Sequence, residues 1–245
     1  MTTPTNFQRA RSEEQRAARR RTILDAAAAM LTEMPVAQVT LNELARRAGL
    51  AKSNVLRYFE SREDVLLELL DGATRELLAH LDGALAEAVD SAPPAERPDR
   101  LAACLARALV ERPVLCDLIS AQAAVLERNV SPQVAAQYKR AAIANATALA
   151  ERVAAHLPEL GTADSFRFVA GTVMVTGAVW AHAHPSAAML AAYEADPALA
   201  VLRLDFGATL RETLEVLLSG LLARAQRAAL GSLTAGDDSA RRDRA

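Results

Sequence analysis

Apolar positions along this chain recur three and four residues apart, the spacing that gathers them on one face of a helix. Ile23, Ala26, Ala27, Met30 and Leu31 form such a stripe and predict a helix from about Glu13 to Glu33, ended by Met34-Pro35. A longer stripe runs through Val65, Leu66, Leu69, Leu70, Ala73, Leu77, Leu78, Leu81, Leu85 and Val89, predicting a helix from the Ser61 region to about Asp90. Proline punctuates the remainder. A proline-rich break covers 91–98, Pro113 suits a first helical position, Ser131-Pro132 supplies a cap and a first-turn proline, and Pro158, Pro185 and Asp196-Pro197 mark further breaks. The predicted helices are 98–111, 113–128, 131–157, 163–183, 187–194 and a last one ending near Ala229, with an interruption near Asp205-Phe206-Gly207. No alternating stretch is long enough to read as a strand, and no internal repeat is present. The pattern is all-α.

Between the first two stripes lies a shorter pattern, Thr40 to Phe59, with the form of a helix-turn-helix. Thr40 followed by Glu43 reads as a capping box. Leu41, Leu44, Ala45 and Ala48 give the first helix an apolar face, and Gly49 stands where the chain must turn. Ala45 is small enough for close passage of the second helix, into which Leu50, Val55 and Tyr58 point back. Lys52, Ser53, Asn54 and Arg57 then face outward, and such side chains suit phosphates and base edges. On the residues alone, an ordinary helical hairpin with a solvated polar face has the same pattern. Ser61 reads as the cap of the following helix, with Asp64 as its box partner and Glu63 in the first turn.

Composition agrees with helices. Of 245 residues, 51% are apolar but only 4% aromatic, and alanine and leucine dominate. The length allows one large domain or two modest ones. The net charge of -2 hides an asymmetry. Residues 1–62 hold eleven basic and six acidic side chains, a net of +5, and residues 63–245 hold seventeen and twenty-four, a net of −7. A basic head on an acidic body predicts that the head meets a polyanion. Arg16, Arg19, Arg20 and Arg21 open the first helix, where cations oppose the helix dipole. Service to a phosphate backbone accounts for that placement. Cys104 and Cys116 make no C-x-x-C pair, which implies a reducing, cytoplasmic setting, and no apolar run reads as a membrane span. Residues 1–15 are expected to be a disordered basic arm and 231–245 a disordered tail.

Three segments carry a family likeness: Arg20–Met30, Thr40–Leu50, and Tyr58-Phe59-Glu60-Ser61-Arg62-Glu63-Asp64-Val65-Leu66. Over about residues 16–70 the chain resembles the TetR family of transcriptional regulators. The resemblance implies an N-terminal three-helix helix-turn-helix DNA-binding domain, 16–62, and a C-terminal helical bundle, 63–230, for ligand binding and dimerisation. Such proteins are homodimers and usually repress. By position, Thr40 is expected on phosphate and Asn42 on a base, Lys52, Ser53 and Asn54 open the recognition helix, and Tyr58 and Arg62 touch the DNA backbone. Two positions depart from the family's pattern. Ala51 replaces the usual Ser or Thr after the turn, and Leu56 replaces an aromatic, usually Tyr. Leu56 is suited to a thymine methyl, and Arg57 is expected to take over the polar contact.

In the body, Gly171, Thr172, Gly177, Ala178 and Ala181 make one helix unusually small-faced around Trp180, and Leu210, Leu214, Leu217, Leu218, Leu221 and Leu222 form a stripe on the last helix. The resemblance implies that these two helices build the dimer interface, with Gly171, Gly177, Leu210, Leu214, Leu217 and Leu221 at its centre. On the residues alone they serve equally as intrachain core. Tyr138, Phe166, Met174 and Trp180, with Phe168 beside them, are candidates to line a ligand cavity, or else core. His80, His156, His182 and His184 show no chelating spacing, so no metal or cofactor is expected, and no nucleophile–base constellation points to an enzyme. The favoured reading is a cytoplasmic, homodimeric repressor of the TetR type, released from a double-stranded DNA operator by a small apolar ligand. One alternative keeps the DNA head but gives the body to dimerisation or protein contacts. Another is an all-α enzyme with an incidental hairpin.

Overall fold

The computed structural model describes residues 4–242, with side chains described over 13–228. Among the described residues ten α-helices follow one another: α1 (Pro4–Glu33), α2 (Leu41–Arg47), α3 (Lys52–Val55), α4 (Arg62–Leu85), α5 (Arg97–Val110), α6 (Pro113–Gln122), α7 (Pro132–His156), α8 (Gly161–Ala183), α9 (Ala187–Ala195) and α10 (Phe206–Arg242). No strand occurs among the described residues. Short 3-10 turns join several of them, and α4 runs out through a π-helical turn at Ala86–Asp90. Among the described residues, no helix is long and apolar enough to cross a membrane.

Most boundaries fall within a few residues of the sequence pattern. The two ends differ. Helix α1 begins at Pro4, so residues 4–15 of the expected arm are helical. Proline loses nothing at a first helical position, and the Gln8–Arg21 run is built largely of good helix formers. Helix α10 continues to Arg242, through most of the expected tail, because no proline follows Pro197 to stop it. Residues 1–3 and 243–245 lie outside the described part.

The chain divides into two units. One holds Met1–Arg75 with Arg112–Ile143, and the other holds Glu76–Glu111 with Ala144–Ala245. The first unit thus takes in the start of α4, all of α6 and the start of α7 as well as 16–62, so packing does not divide the chain at 62/63. Two hydrogen bonds, besides the packing of α6 on α1, link these segments. The N–H of Val36, freed at the end of the Pro35 break, donates to Asp117 Oδ2 on α6 at 2.6 Å. The N–H of Ser131, before α7, donates to Glu60 Oε1 at 2.6 Å. Ile23, Met30, Leu44, Val55 and Leu66 are fully buried at the centre of this unit.

In the second unit α10 packs on α5 and α8. Leu101, Leu105 and Leu109 of α5 face inward, and so do Leu210, Leu214, Leu218 and Leu221 of α10. Helices α8 and α10 approach closely at Gly171, where an added Cβ would stand 3.3 Å from Leu217 Cδ1. Of the residues expected at the dimer interface, some lie in this core and some keep exposed surface. Leu210 and Leu214 have no exposed surface and Leu221 has 9%, so these leucines form the chain's own core. Leu217 and Gly171 press on each other within the chain, and Gly177 is half-buried. The stripe faces inward because α10 meets two helices of its own chain along that side.

The candidate cavity residues fall in both units. Tyr138 is buried in the first unit, while the others belong to the second. Phe166 and Met174 are 39% and 69% exposed, so they face outward on α8. Trp180 stacks on His184 with ring centroids 3.8 Å apart and meets Phe206 edge-on at 5.0 Å, an aromatic cluster that joins the end of α8 to the start of α10. Phe168 is fully buried core.

Candidate nucleic-acid interface

Helix α2 starts as its sequence indicates. Thr40 is extended, at φ −117° and ψ 152°, and its side-chain oxygen accepts the Glu43 N–H at 3.2 Å. The reciprocal half of the box is absent. Instead the Glu43 carboxylate accepts Arg46 Nη2 at 2.6 Å and Arg47 Nε at 3.0 Å. Those two guanidiniums lower its pKa to about 2. Arg47 also reaches Glu33 at the end of α1, at 2.7 Å, and holds that carboxyl below its ordinary range. Two successive arginines therefore lock α2 internally and to α1.

The turn is a complete Schellman motif. Gly49 has φ +65°, its N–H donates to Arg46 O at 3.2 Å, and the Leu50 N–H donates to Ala45 O at 2.9 Å. A Cβ at Gly49 meets nothing within 4 Å, so only the backbone conformation resists substitution. Gly49→Ala is expected to cost about 1–2 kcal/mol, the penalty for an L-residue in the left-handed region. Thermal melting checks it; an unchanged midpoint would mean that the turn tolerates another geometry.

Helix α3 is short. Ala51 occupies its N-cap position with no side-chain hydrogen bond, so the departure noted in the sequence leaves the first turn uncapped by the protein. Helical turns continue past Val55, with the N–H groups of Leu56, Arg57, Tyr58 and Phe59 all bonded to carbonyls within 52–55. Val55 and Phe59 are buried, fixing the helix to its unit. Lys52, Ser53, Asn54, Leu56 and Arg57 are exposed, as are Thr40 and Asn42 at the start of α2. Leu56 is 43% exposed, a large apolar side chain among polar ones. Tyr58 and Leu50 are half-buried rather than inside the pair.

Two arginines turn inward. Arg20 donates from one guanidinium nitrogen to the Tyr58 carbonyl and from another to the Glu68 carboxylate, and its Cζ lies 4.1 Å from the Phe59 ring centroid. It therefore joins α1, the end of the recognition segment and α4. Its position on the stripe of Ile23 and Ala27 made an inward role legible, but as a charge it reads as solvent-facing. Arg62, expected on the DNA backbone, donates to Val39 O at 2.7 Å and pairs with Glu63 at 3.0 Å. With its guanidinium committed there, Arg62 works inside the unit. Ser61 caps α4, accepting the Asp64 N–H at 3.1 Å, and Asp64 accepts the Glu60 N–H at 2.9 Å. Burial raises the Asp64 pKa.

Three other arginines of the head behave differently. Arg16, Arg19 and Arg57, with Gln15, Thr22 and Tyr58, line an open hollow of about 690 Å³. Among the described residues, neither these three arginines nor Lys52 takes an ion pair. Arg16 and Arg19 were legible as basic, but their meeting with Arg57 depends on how α1 crosses the end of α3, which spacing along one helix does not reveal.

Comparison with known proteins agrees with this geometry. The family model for bacterial regulatory proteins of the tetR family matches residues 23–69, and that for the tetracyclin repressor-like C-terminal domain matches residues 72–225. An uncharacterised HTH-type transcriptional regulator of Mycobacterium tuberculosis (strain H37Rv) is 36% identical over 75 residues, which are 31% of this chain and 36% of the relative. The match thus spans about a third of that relative's length. Among solved structures, a TetR transcriptional regulator from Rhodococcus sp. RHA1 aligns at 18% identity over 85% of this chain and 97% of its own, with a TM-score of 0.55. FadR from Bacillus subtilis, in complex with stearoyl-CoA, aligns at 16% identity over 81% and 97%, with a TM-score of 0.51. At such identities the likeness is one of fold. The two family models between them take in nearly all of 23–225, and on that ground the chain belongs to the TetR family of transcriptional regulators.

Proposed function

We propose that this regulator is a homodimeric repressor whose α3 enters the major groove of an operator and which a small apolar ligand releases. The observation that carries the DNA-binding part is the division among cations of the head. Arg20, Arg46, Arg47 and Arg62 are paired with carboxylates, whereas Lys52 and Arg57 on the recognition segment are exposed and unpaired among the described residues. A surface so left is attractive to phosphate and to guanine edges. Exposed Leu56 adds an apolar contact suited to a thymine methyl. Thr40, Asn42, Ser53, Asn54 and Tyr58 complete the proposed contact set.

Dimerisation is proposed through α8 and α10, on a face other than the leucine stripe. Phe166, Val173 and Met174 on α8 and Val216 on α10 are large apolar side chains between 39% and 69% exposed. Pairing these two helices with a second copy buries them in a four-helix arrangement. Ligand release is the least direct part. It is supported by the buried hydroxyls of Ser165 and Thr176, about three turns apart on α8, which have no hydrogen-bond partner among the described residues and either of which a polar group on an otherwise apolar ligand would satisfy. The stearoyl-CoA bound by FadR suggests a long-chain acyl thioester as the first ligand to test. A cytoplasmic setting fits Cys104 and Cys116, both buried thiols whose pKa burial raises.

Selection of bound sequences from random duplex DNA tests the reading. The expected product is a near-palindromic site, since two heads related by a two-fold axis read inverted half-sites. On that site, Arg57→Ala is expected to weaken binding by about 1–3 kcal/mol in a gel-shift titration. Recovery of no preferred sequence would overturn the DNA-binding reading. Equal operator affinity with and without an acyl thioester would remove that class of inducer.

A further inference from the structure

We infer that α1 supplies a second phosphate-binding site, in the hollow where Arg16 and Arg19 meet Arg57, and that it holds the DNA backbone beside the groove entered by α3. This rests on the DNA-binding reading and extends it to residues that the helix-turn-helix itself does not contain.

Charge balance separates this hollow from its neighbours. Two other open hollows among the described residues serve for comparison. One is bordered by Arg20 and Arg75 together with Asp64, Glu68 and Asp71. Another has Arg100 and Arg107 together with Glu87 and Glu111. Each of those balances its cations with carboxylates. Among the described residues, the hollow at α1 has three arginines and no acidic side chain in its lining, which also includes Gln15, Ala18, Thr22 and Tyr58. Guanidiniums gathered without a counter-charge repel one another, and like charges one helical turn apart disfavour the helix that carries them. A bound anion removes that repulsion. Arginine in particular matches phosphate, since its planar fork donates two parallel N–H bonds to two oxygens. The hollow has room for a sugar–phosphate unit, at about 690 Å³.

Arg57 decides which anion. It lies on the recognition segment, immediately after Leu56, and also borders the hollow. A phosphate held there is therefore next to a helix turned toward base edges, which is the relation of a DNA strand to its own groove. Arg20 sharpens the distinction. One residue after Arg19, it is spent on Tyr58 O and Glu68 and fixes the wall of the hollow rather than its occupant.

Backbone contacts carry charge but no sequence information, and this sets the test. Wild-type protein and the double variant Arg16→Ala/Arg19→Ala are titrated by fluorescence anisotropy against the selected site and against a scrambled duplex, from low to moderate salt. Both positions are exposed and, among the described residues, unpaired, and alanine favours helix, so the melting temperature of the variant should not fall; circular dichroism checks that. The expected result is a salt slope shallower by about 2 per bound protomer, with the preference for the selected site over the scrambled one unchanged. Ethylation interference supplies the position. Ethylated phosphates flanking each half-site should weaken the wild type and leave the variant indifferent. A variant with the wild-type salt slope and the wild-type ethylation pattern would overturn the site while leaving DNA binding by α3 intact. A loss confined to the selected sequence would also overturn it, by assigning these arginines to base recognition. Failure of the wild type to bind any duplex would overturn the DNA-binding reading and this inference together.

Discussion

Truncating Phe168 to alanine is expected to lower the stability of the protein by about 3–5 kcal/mol, the usual range for emptying an aromatic site in a packed interior. Phe168 has no exposed surface and stands first by volume among the fully buried side chains. Its carbonyl accepts the Thr172 hydroxyl at 2.9 Å, and Val169, Thr172 and Thr176 continue the same buried side of α8. Close contact at Gly171 with Leu217 leaves α8 little freedom to slide toward α10 and fill the space. The penalty should therefore include most of the cavity term as well as lost transfer energy. Phe168→Leu, which keeps much of the volume, is expected to cost far less. Urea denaturation of both variants measures this, with the midpoint falling and the slope unchanged. A shift of less than about 1 kcal/mol for the alanine variant would mean that α8 repacks, against the rigidity inferred from the glycine contact.

Arg20→Ala is expected to be the most damaging change of a charged residue. The side chain makes two charge-assisted hydrogen bonds, to the Tyr58 carbonyl and the Glu68 carboxylate, and lies over the Phe59 ring. Its 29% side-chain exposure, and the 32% of Glu68, reduce the worth of the ion pair through solvent screening. The bond to the carbonyl and the ring contact suffer less from screening. Together they put the loss at about 2–3 kcal/mol. Because Tyr58 belongs to the recognition segment, operator affinity should fall as well, without any DNA contact being removed. Arg20→Lys preserves the charge but not the fork and should recover only part of either quantity. Thermal melting and gel-shift titration of the two variants check both effects. Full DNA affinity in Arg20→Ala would show that the Tyr58 region keeps its place by other means.

Helical periodicity, proline punctuation and the Thr40, Gly49 and Ser61 signals made nearly every helix legible, because each acts within a few residues of itself. The helix-turn-helix could be read down to its capping threonine and its glycine turn. What the spacing could not give was the partner of any long side chain. Glu43 was expected to reach back to its own cap, yet two guanidiniums lay within its reach and bind a carboxylate more strongly than one backbone N–H does. Arg62 was expected outward, but a carbonyl left free at Val39 and the neighbouring Glu63 claimed it. In the leucine stripe of α10, Leu210, Leu214, Leu218 and Leu221 are buried and Leu217 and Leu222 half-buried, while which helices bury it is a matter of tertiary topology. Its register marks a sticky face without naming the surface that covers it. Phe166 and Met174 teach the same lesson in reverse, since aromatic and sulfur side chains on a helix carry no label for inside or outside.

The two bonds from Val36 to Asp117 and from Ser131 to Glu60 act as struts. They brace the stretch ahead of α2 and the stretch behind α3 against α6 and the loop before α7. A recognition helix this short has little stiffness of its own, so its aim is inherited from whatever braces its two flanks. Wear at Asp117 or Glu60 would thus blur the reading of DNA from outside the reading head. Variation in the 112–131 stretch gives evolution a way to retune an operator preference without touching a single base-facing side chain.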